Sequence, residues 1–256
     1  SAKSLFKDAK KMLDKIINEK KLKANGVIGF YPANSVNDDD IELYADHESS
    51  DPIFTYFGLR QQTQKPIIKG IQKPNISLAD YIAPKESGVK DYIGLFAVTA
   101  GINVELYEKV FAKEEDDYNG IMIKAITDRL AEAFAEYMHD RVRKDLWGYQ
   151  PKELSNKDMI DEKYEGIRPA PGYPACPEHT VKEDIFSLLE ANEIGMQLTE
   201  SMAMHPASSV SGFYFAHPDA KYFSVDKIDK DQLEDMASRR SISIKQLQKW
   251  LAPNLK

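Results

Sequence analysis

The segment of residues 166–180 combines one arginine, a glycine–tyrosine pair and four prolines. Each proline fixes its own φ, removes a backbone donor and pushes the preceding residue toward extended conformations, so the pattern predicts a stiff, extended loop. Arg168 supplies a permanent cation suited to a carboxylate, and Gly172 permits close backbone approach beside the ring of Tyr173. Such a loop can bind a small zwitterion with little loss of entropy. A rigid crossover between two elements would use the same residues and is an equal alternative.

The same segment holds Cys176 and His179, whose C-x-x-H spacing is half of a zinc site. No second half-site follows in the sequence, so we predict no metal site and no redox role for this single cysteine. The sequence also lacks the G-x-G-x-x-G fingerprint, the P-loop and the G-x-S-x-G nucleophile elbow. These absences argue against a Rossmann-type nucleotide site and leave no nucleophilic triad with support.

Two further groups of residues could line a ligand site. Asp128, Glu132 and Glu136 recur every fourth residue and therefore share one face of a helix. That face is either a solvated acidic surface or, at Glu132, the wall of a ligand groove. Tyr222 and Phe223 would point to opposite faces of a strand. Both can belong to the core, or one of them can cover a flat or sulfonium-bearing ligand.

The composition is that of a globular protein of 256 residues, of which 42% are hydrophobic. No shift in composition marks a boundary, so we treat 1–256 as one domain. The net charge of −7 gives no clustered basic face for nucleic acid, and no apolar run approaches the roughly 20 residues of a membrane span. The single cysteine excludes an internal disulfide and suits a cytoplasmic protein.

Apolar residues at helical spacing predict an amphipathic helix over residues 4–20 and the longest helix over residues 118–147. Asn25-Gly26 is expected to stop the first of these helices. Two capping boxes, beginning at Thr180 and Ser243, predict helices nearer the carboxyl end.

Short apolar or alternating runs predict the strands. They lie at residues 27–31, closed by Pro32, and at 41–44, 52–57 and 92–98, the last being a central strand. The runs 209–215 and 222–225 flank a polar turn and predict a hairpin. Strands that adjoin one another, mixed with helices, indicate an α+β fold.

Beyond these patterns, the chain resembles a known family in seven stretches that follow the family's order. They are LRQQT (59–63), DYIGLFAV (91–98), DRLAEAFAE (128–136), GIRPAPGYPACPEHT (166–180), LTES (198–201), SVSGFYF (209–215) and KWLAPNL (249–255). The family is the activation domain of cobalamin-dependent methionine synthase, whose S-adenosylmethionine-binding segment the 166–180 stretch resembles. The resemblance implies a curved single domain with a twisted antiparallel sheet and flanking helices.

The resemblance also implies roles for individual residues, none of which needs to be a catalytic acid or base. Arg168 would hold the methionyl carboxylate. His179, at the end of the segment and just before a predicted helix, is our own candidate contact of the cobalamin, and an ordinary loop histidine is the alternative. The other residues implied at the S-adenosylmethionine site are Glu132, Glu162, Ala170, Gly172, Tyr173, Tyr222 and Phe223. We expect the 166–180 segment, Glu132 and Tyr222 to line an open concave face, because a cobalt carried by another domain must reach the methyl group.

As a function, the resemblance implies reductive reactivation of methionine synthase. The domain would present the methyl group of S-adenosylmethionine to cob(I)alamin, within the transfer of methyl groups from methyltetrahydrofolate to homocysteine that makes methionine. Cobalamin and zinc would belong to the rest of the enzyme. The implied partners are its cobalamin-binding domain and a flavodoxin-type electron donor. The alternative is a separate S-adenosylmethionine-binding or docking module without transfer chemistry.

Overall fold

A computed structural model describes residues 2–256 and contains helices and strands in mixed order. The helices are α1 (Ala2–Glu19), α2 (Val104–Lys113), α3 (Asp117–Arg141), α4 (Asn156–Ile160), α5 (Val181–Leu188), α6 (Lys230–Arg239) and α7 (Ile244–Trp250). The strands are β1 (Lys23–Val36), β2 (Asp40–Leu43), β3 (Phe54–Phe57), β4 (Ile67–Ile68), β5 (Ile71–Gln72), β6 (Asp91–Ile102), β7 (Gln197–Leu198), β8 (Met204–His205) and β9 (Ser209–Tyr214). No helix among these residues is long and apolar enough to cross a membrane.

Five of the strands form one antiparallel sheet in the order β3-β2-β1-β6-β9. β1 and β6 are the long central pair, and β9 lies beside β6. The remaining strands form two short hairpins, β4-β5 and β7-β8. This curled antiparallel sheet with flanking helices confirms the α+β prediction, including the strands expected at 41–44, 52–57 and 92–98.

The sheet is buried on both faces, because successive residues of β6 enter different cores. Ile93, Leu95 and Ala97 pack into the core beneath the 166–180 segment and α5. Phe96 and Val98 pack instead against α3. The sheet therefore lies between α3 on one face and α5 on the other, and the start of the 166–180 segment runs along its β9 edge.

Helix α3 approaches the sheet through a buried row of mostly small residues. Thr127, Ala131, Ala135 and His139 recur every fourth residue and are all buried. Ile121, which the apolar periodicity included, is 69% exposed. The predicted long helix is confirmed, although its last turn, at residues 142–146, is a π-helix.

Two predicted boundaries near the amino end are wrong. α1 ends at Glu19, and Lys20 follows with φ of +52°, so Asn25-Gly26 does not stop the helix but lies within β1. Pro32 does not close a strand either. β1 continues through it, because the Pro32 carbonyl accepts from the Tyr44 N–H at 2.9 Å, an interaction that needs no proline donor.

The predicted hairpin of residues 209–215 with 222–225 is also wrong. β9 pairs with β6 on one side. On its other side, the N–H and C=O of Phe215 exchange two hydrogen bonds with Ile167, each 3.0 Å long. Residues 222–225 form no strand, and the Val225 N–H donates to the Pro174 carbonyl at 2.9 Å. The 166–180 segment thus occupies the place expected for the second hairpin strand.

The two capping boxes had different outcomes. Ser243 caps α7 by accepting from the Gln246 N–H at 3.2 Å, as expected. Thr180 precedes α5 but does not cap it. Its hydroxyl donates to Glu178 at 2.8 Å instead and accepts from Arg240 at 3.2 Å.

Candidate functional site

The 166–180 segment is bound to the sheet at its start and folds back on itself in the middle. Its first residues extend β9, and the Phe213 N–H donates to the Pro169 carbonyl at 3.0 Å. This approach requires glycine in β9, because a β-carbon on Gly212 would lie 2.4 Å from the Pro169 oxygen. The segment is therefore more fully hydrogen-bonded than its prolines suggest.

The middle of the segment is a tight turn around Gly172. The Gly172 N–H donates to the Cys176 carbonyl at 2.7 Å, and the Cys176 N–H donates to Tyr173 at 2.9 Å. Gly172 adopts φ of +93°, which favours glycine. Ala170 and Cys176 are buried, whereas Gly172 and Tyr173 are exposed. The turn thus presents two of the predicted ligand-binding residues to solvent and anchors itself through their neighbours.

Arg168 begins the turn and is less isolated than the sequence suggests. Its Nη2 lies 2.7 Å from Oε2 of Glu136 on α3. Its backbone N–H donates to the Tyr222 hydroxyl at 3.1 Å. The other terminal nitrogen, Nη1, bonds to none of the residues in 2–256, and the side chain keeps 18% of its surface exposed. One donor edge of the guanidinium is therefore available to a ligand.

Tyr222 and Phe223, both implied at the ligand site, lie in different environments, and neither is on a strand. Phe223 is half-buried and packs against two hydrophobic cores. Tyr222 is 39% exposed and is joined to Arg168 through its hydroxyl. The structure therefore brings Tyr222, Arg168 and the turn together, with Phe223 serving as the support.

Glu132 and Glu162 are both exposed. Glu132 lies one turn before Glu136 on α3. Glu162 follows α4 in a left-handed conformation with φ of +52°. Within residues 2–256 neither carboxylate forms a hydrogen bond or an ion pair, and neither contacts the turn through such a bond. Their ligand roles stay predictions.

His179 lies against the backbone of Gly172, at the end of the segment. Partial burial, together with the nearby charge of Lys182, lowers the pKa of its imidazole. Cys176 is fully buried, and burial raises the pKa of its thiol to about 12. Residues 2–256 hold no cluster of three side chains suited to a metal ion.

Sequence reasoning missed a polar cluster beneath Arg168. Glu136, His139 and Arg143 project from one side of α3 and its terminal π turn toward Tyr164 and Tyr214. The His139 ring stacks on Tyr214 with centroids 5.3 Å apart, and burial, then the charge of Arg143, holds its pKa well below the usual range. The Arg143 guanidinium is buried 4.3 Å from the Tyr164 ring centroid.

A signal for this cluster was present in the sequence. Positions 136, 139 and 143 continue the face on which Ala131 and Ala135 are buried, at spacings of three and four residues. Ionisable residues on the buried face of a helix need partners. Positions 136, 139 and 143 could therefore have been distinguished from the acidic residues of the helix that face solvent.

Comparison with known proteins agrees with this geometry. A family model described as "Vitamin B12 dependent methionine synthase, activation domain" matches residues 1–241. A crystal structure of the MetH reactivation domain bound to AdoHcy is similar, with 54% sequence identity and a TM-score of 0.91. The match covers 99% of this chain and 77% of that one. The chain therefore belongs to the family of activation domains of vitamin B12-dependent methionine synthases.

Proposed function

We propose that this chain binds S-adenosylmethionine along the 166–180 segment and presents its methyl group to cob(I)alamin during reductive reactivation of methionine synthase. The observation that carries the proposal is the turn around Gly172 with Arg168 beside it, which offers an accessible cation next to an exposed backbone. A structural relative 54% identical in sequence binds the demethylated form of the same ligand.

Each end of the ligand finds a suited group in this region. The Nη1 of Arg168 has no acceptor among residues 2–256 and would donate to the methionyl carboxylate in a charge-assisted bond. The exposed carboxylates of Glu132 and Glu162 would favour the ammonium or the sulfonium charge. The ring of Tyr222 would cover the adenine or the sulfonium face, while Ala170 and Gly172 let the ligand approach the backbone.

The task of these residues is positioning. Holding a methyl group in line with its acceptor replaces an encounter in solution by a fixed geometry. When bound, the cobalt of cob(I)alamin supplies the nucleophile, and S-adenosylhomocysteine is left after the methyl–sulfur bond breaks. Gly172, Tyr173 and Tyr222 are exposed, which suits a ligand that another domain must reach. His179, next to Gly172, is our candidate for touching the corrin edge.

The proposed partners are the cobalamin-binding domain of the same enzyme and a flavodoxin-type electron donor, which would reduce the inactive cob(II)alamin by one electron. With these partners the chain would act as one part of a methyltransferase and would not turn over alone.

The proposal is tested in two stages with the same protein. Calorimetric titration should show S-adenosylmethionine binding to the chain. The chain should then support methylation of the cobalamin domain, followed by absorbance, when S-adenosylmethionine and a reductant are supplied. Absence of binding would contradict the proposal entirely. Binding without any methylation would favour a separate S-adenosylmethionine-binding module.

A further inference from the structure

Glu136 lies between two arginines of different exposure. Its Oε2 is 2.7 Å from Nη2 of Arg168, and its Oε1 is 3.9 Å from Nη1 of Arg143. Arg143 is almost fully buried and is held by Asp140 at 3.3 Å and by the ring of Tyr164 at 4.3 Å. Glu136 therefore links the fixed, buried cation of Arg143 to the cation of Arg168, which lies in the 166–180 segment (the ligand segment).

This cluster is not satisfied internally. Five buried polar atoms in it have no hydrogen-bond partner within residues 2–256: Oε1 of Glu136, Nδ1 of His139, Nη1 of Arg143, Nε of Arg168 and the hydroxyl of Tyr214. Buried polar atoms without partners are costly, and buried ion pairs contribute little to stability on balance. Stability alone does not account for placing these groups together.

The backbone departs from regular geometry at the same place. α3 ends in a π turn over residues 142–146, which contains Arg143. Such turns occur frequently at functional sites. Here the π turn accompanies the burial of Arg143 on the side of Glu136, so that the helix end and the ligand segment are joined through a single carboxylate.

We propose that Glu136 is a positioning residue for S-adenosylmethionine binding: braced by Arg143, it holds the guanidinium of Arg168 so that the Nη1 edge faces the methionyl carboxylate. The inference rests on the proposed function. Glu136 takes one donor of Arg168 and leaves the others, which limits the rotamers that a long side chain must lose when the ligand binds.

A pair of conservative substitutions separates placement from charge. Glu136→Asp keeps the charge but withdraws the carboxylate by one methylene. Glu136→Gln keeps the reach and an acceptor oxygen but removes the charge. Both retain a polar group beside the arginines, and thermal unfolding verifies that each variant folds.

The ligand pair is S-adenosylmethionine and its decarboxylated form, which differ only in the group assigned to Arg168. Affinities are measured by calorimetric titration. The affinity of the weaker ligand is obtained from a competition titration against the stronger one. We expect Glu136→Asp to weaken S-adenosylmethionine binding about five- to tenfold, the size of one lost hydrogen bond, and to leave the decarboxylated ligand unchanged. Glu136→Gln should retain the wild-type affinity for both ligands.

Three results would overturn the inference. Glu136→Asp could bind S-adenosylmethionine as the wild type does. It could lose both ligands equally, which would indicate a structural role only. Glu136→Gln could be the variant that changes, which would mean that charge and not placement matters.

The proposed function has its own signature in the same experiment. It fails if the wild type binds no S-adenosylmethionine, and the assignment of the carboxylate to Arg168 fails if Arg168→Ala keeps the wild-type preference over the decarboxylated ligand. Either result also removes the basis for the role of Glu136.

Discussion

A β-carbon on Gly172 would lie 2.1 Å from Cε1 of His179, so the backbone of one residue and the imidazole of the other pack with no space for a side chain between them. The two residues stand at the turn and at the end of the ligand segment. Their contact fixes the segment's shape, and it makes a first prediction about what happens when the space is filled.

Gly172→Ala should destabilise the protein and weaken S-adenosylmethionine binding. The φ of +93° alone costs an alanine about 1–3 kcal/mol, and displacement of the His179 ring adds to it. Urea unfolding and calorimetric titration measure the two effects. Gly88→Ala is the matched control, since Gly88 has φ of +68° but no atom within 4 Å of its β-carbon position. Equal losses in the two variants would show that the contact with His179 is unimportant.

Arg168→Ala should weaken S-adenosylmethionine binding by about 1.5–3 kcal/mol, the value of a hydrogen bond to a charged group. The fold should survive, because Glu136 keeps 28% of its side chain exposed to water. Titration calorimetry and circular dichroism check both statements. The control is Arg141→Ala, which removes an exposed arginine that ends α3 and is paired with Asp145 in the following π turn. This variant should bind S-adenosylmethionine normally. An unchanged affinity for Arg168→Ala would exclude that residue from the site.

Arg239→Met should cost about 3–5 kcal/mol of unfolding free energy, because it leaves the buried carboxylate of Asp40 without its partner. Burial raises the pKa of Asp40 to about 6, above its unfolded value, so this carboxyl contributes stability that is complete below about pH 4 and is lost as the pH rises toward 6. Without Arg239 the folded pKa rises further, and the loss continues at higher pH.

Urea unfolding of Arg239→Met at pH 5 and pH 8 tests this sign. The variant should lose more stability at pH 8, and a second substitution, Asp40→Asn, should remove that pH dependence. A larger loss at pH 5 would be incompatible with a raised pKa for Asp40.

Cys176 should react with Ellman's reagent only when the protein opens. Its thiol is buried with a pKa raised to about 12, so only about one molecule in 10⁴ carries a thiolate at pH 8. The same protein in urea is the control and should react within the mixing time. Rapid reaction of the folded protein, or stoichiometric zinc in elemental analysis, would contradict the buried and metal-free assignment.

Sequence patterns foresaw the elements whose residues carry their own signal. The apolar run of β6 and the long period of α3 are local features, and both elements formed where expected. The strand prediction for residues 222–225 was wrong because β-propensity says nothing about whether a partner strand is free to pair. The edge of β9 was already occupied by Ile167, a pairing across 48 residues of chain that no local pattern encodes.

The candidate site shows the same limit. Proline and glycine spacing predicted a stiff, extended loop. The segment is extended only at its start, along β9, and it folds into a turn around Gly172. The pairing of Arg168 with Glu136 was not foreseen, because an acid on a helix normally faces water. The pair depends on a tertiary contact. α3 and the 166–180 segment meet over Tyr214, where His139 and Arg143 are also buried.

The pairing of Ile167 with Phe215 also prevents other copies of the protein from adding a strand at the β9 edge of the sheet. Unpaired sheet edges invite strand addition and aggregation, and without the 166–180 segment the backbone groups of Phe213 and Phe215 would form such an edge. The stretch that prepares the ligand turn is the same stretch that caps this edge. Substitutions that loosen this stretch would therefore expose an aggregation-prone sheet edge, even if they improved binding of a different ligand. Solubility thus limits how far the sequence of this segment can diverge.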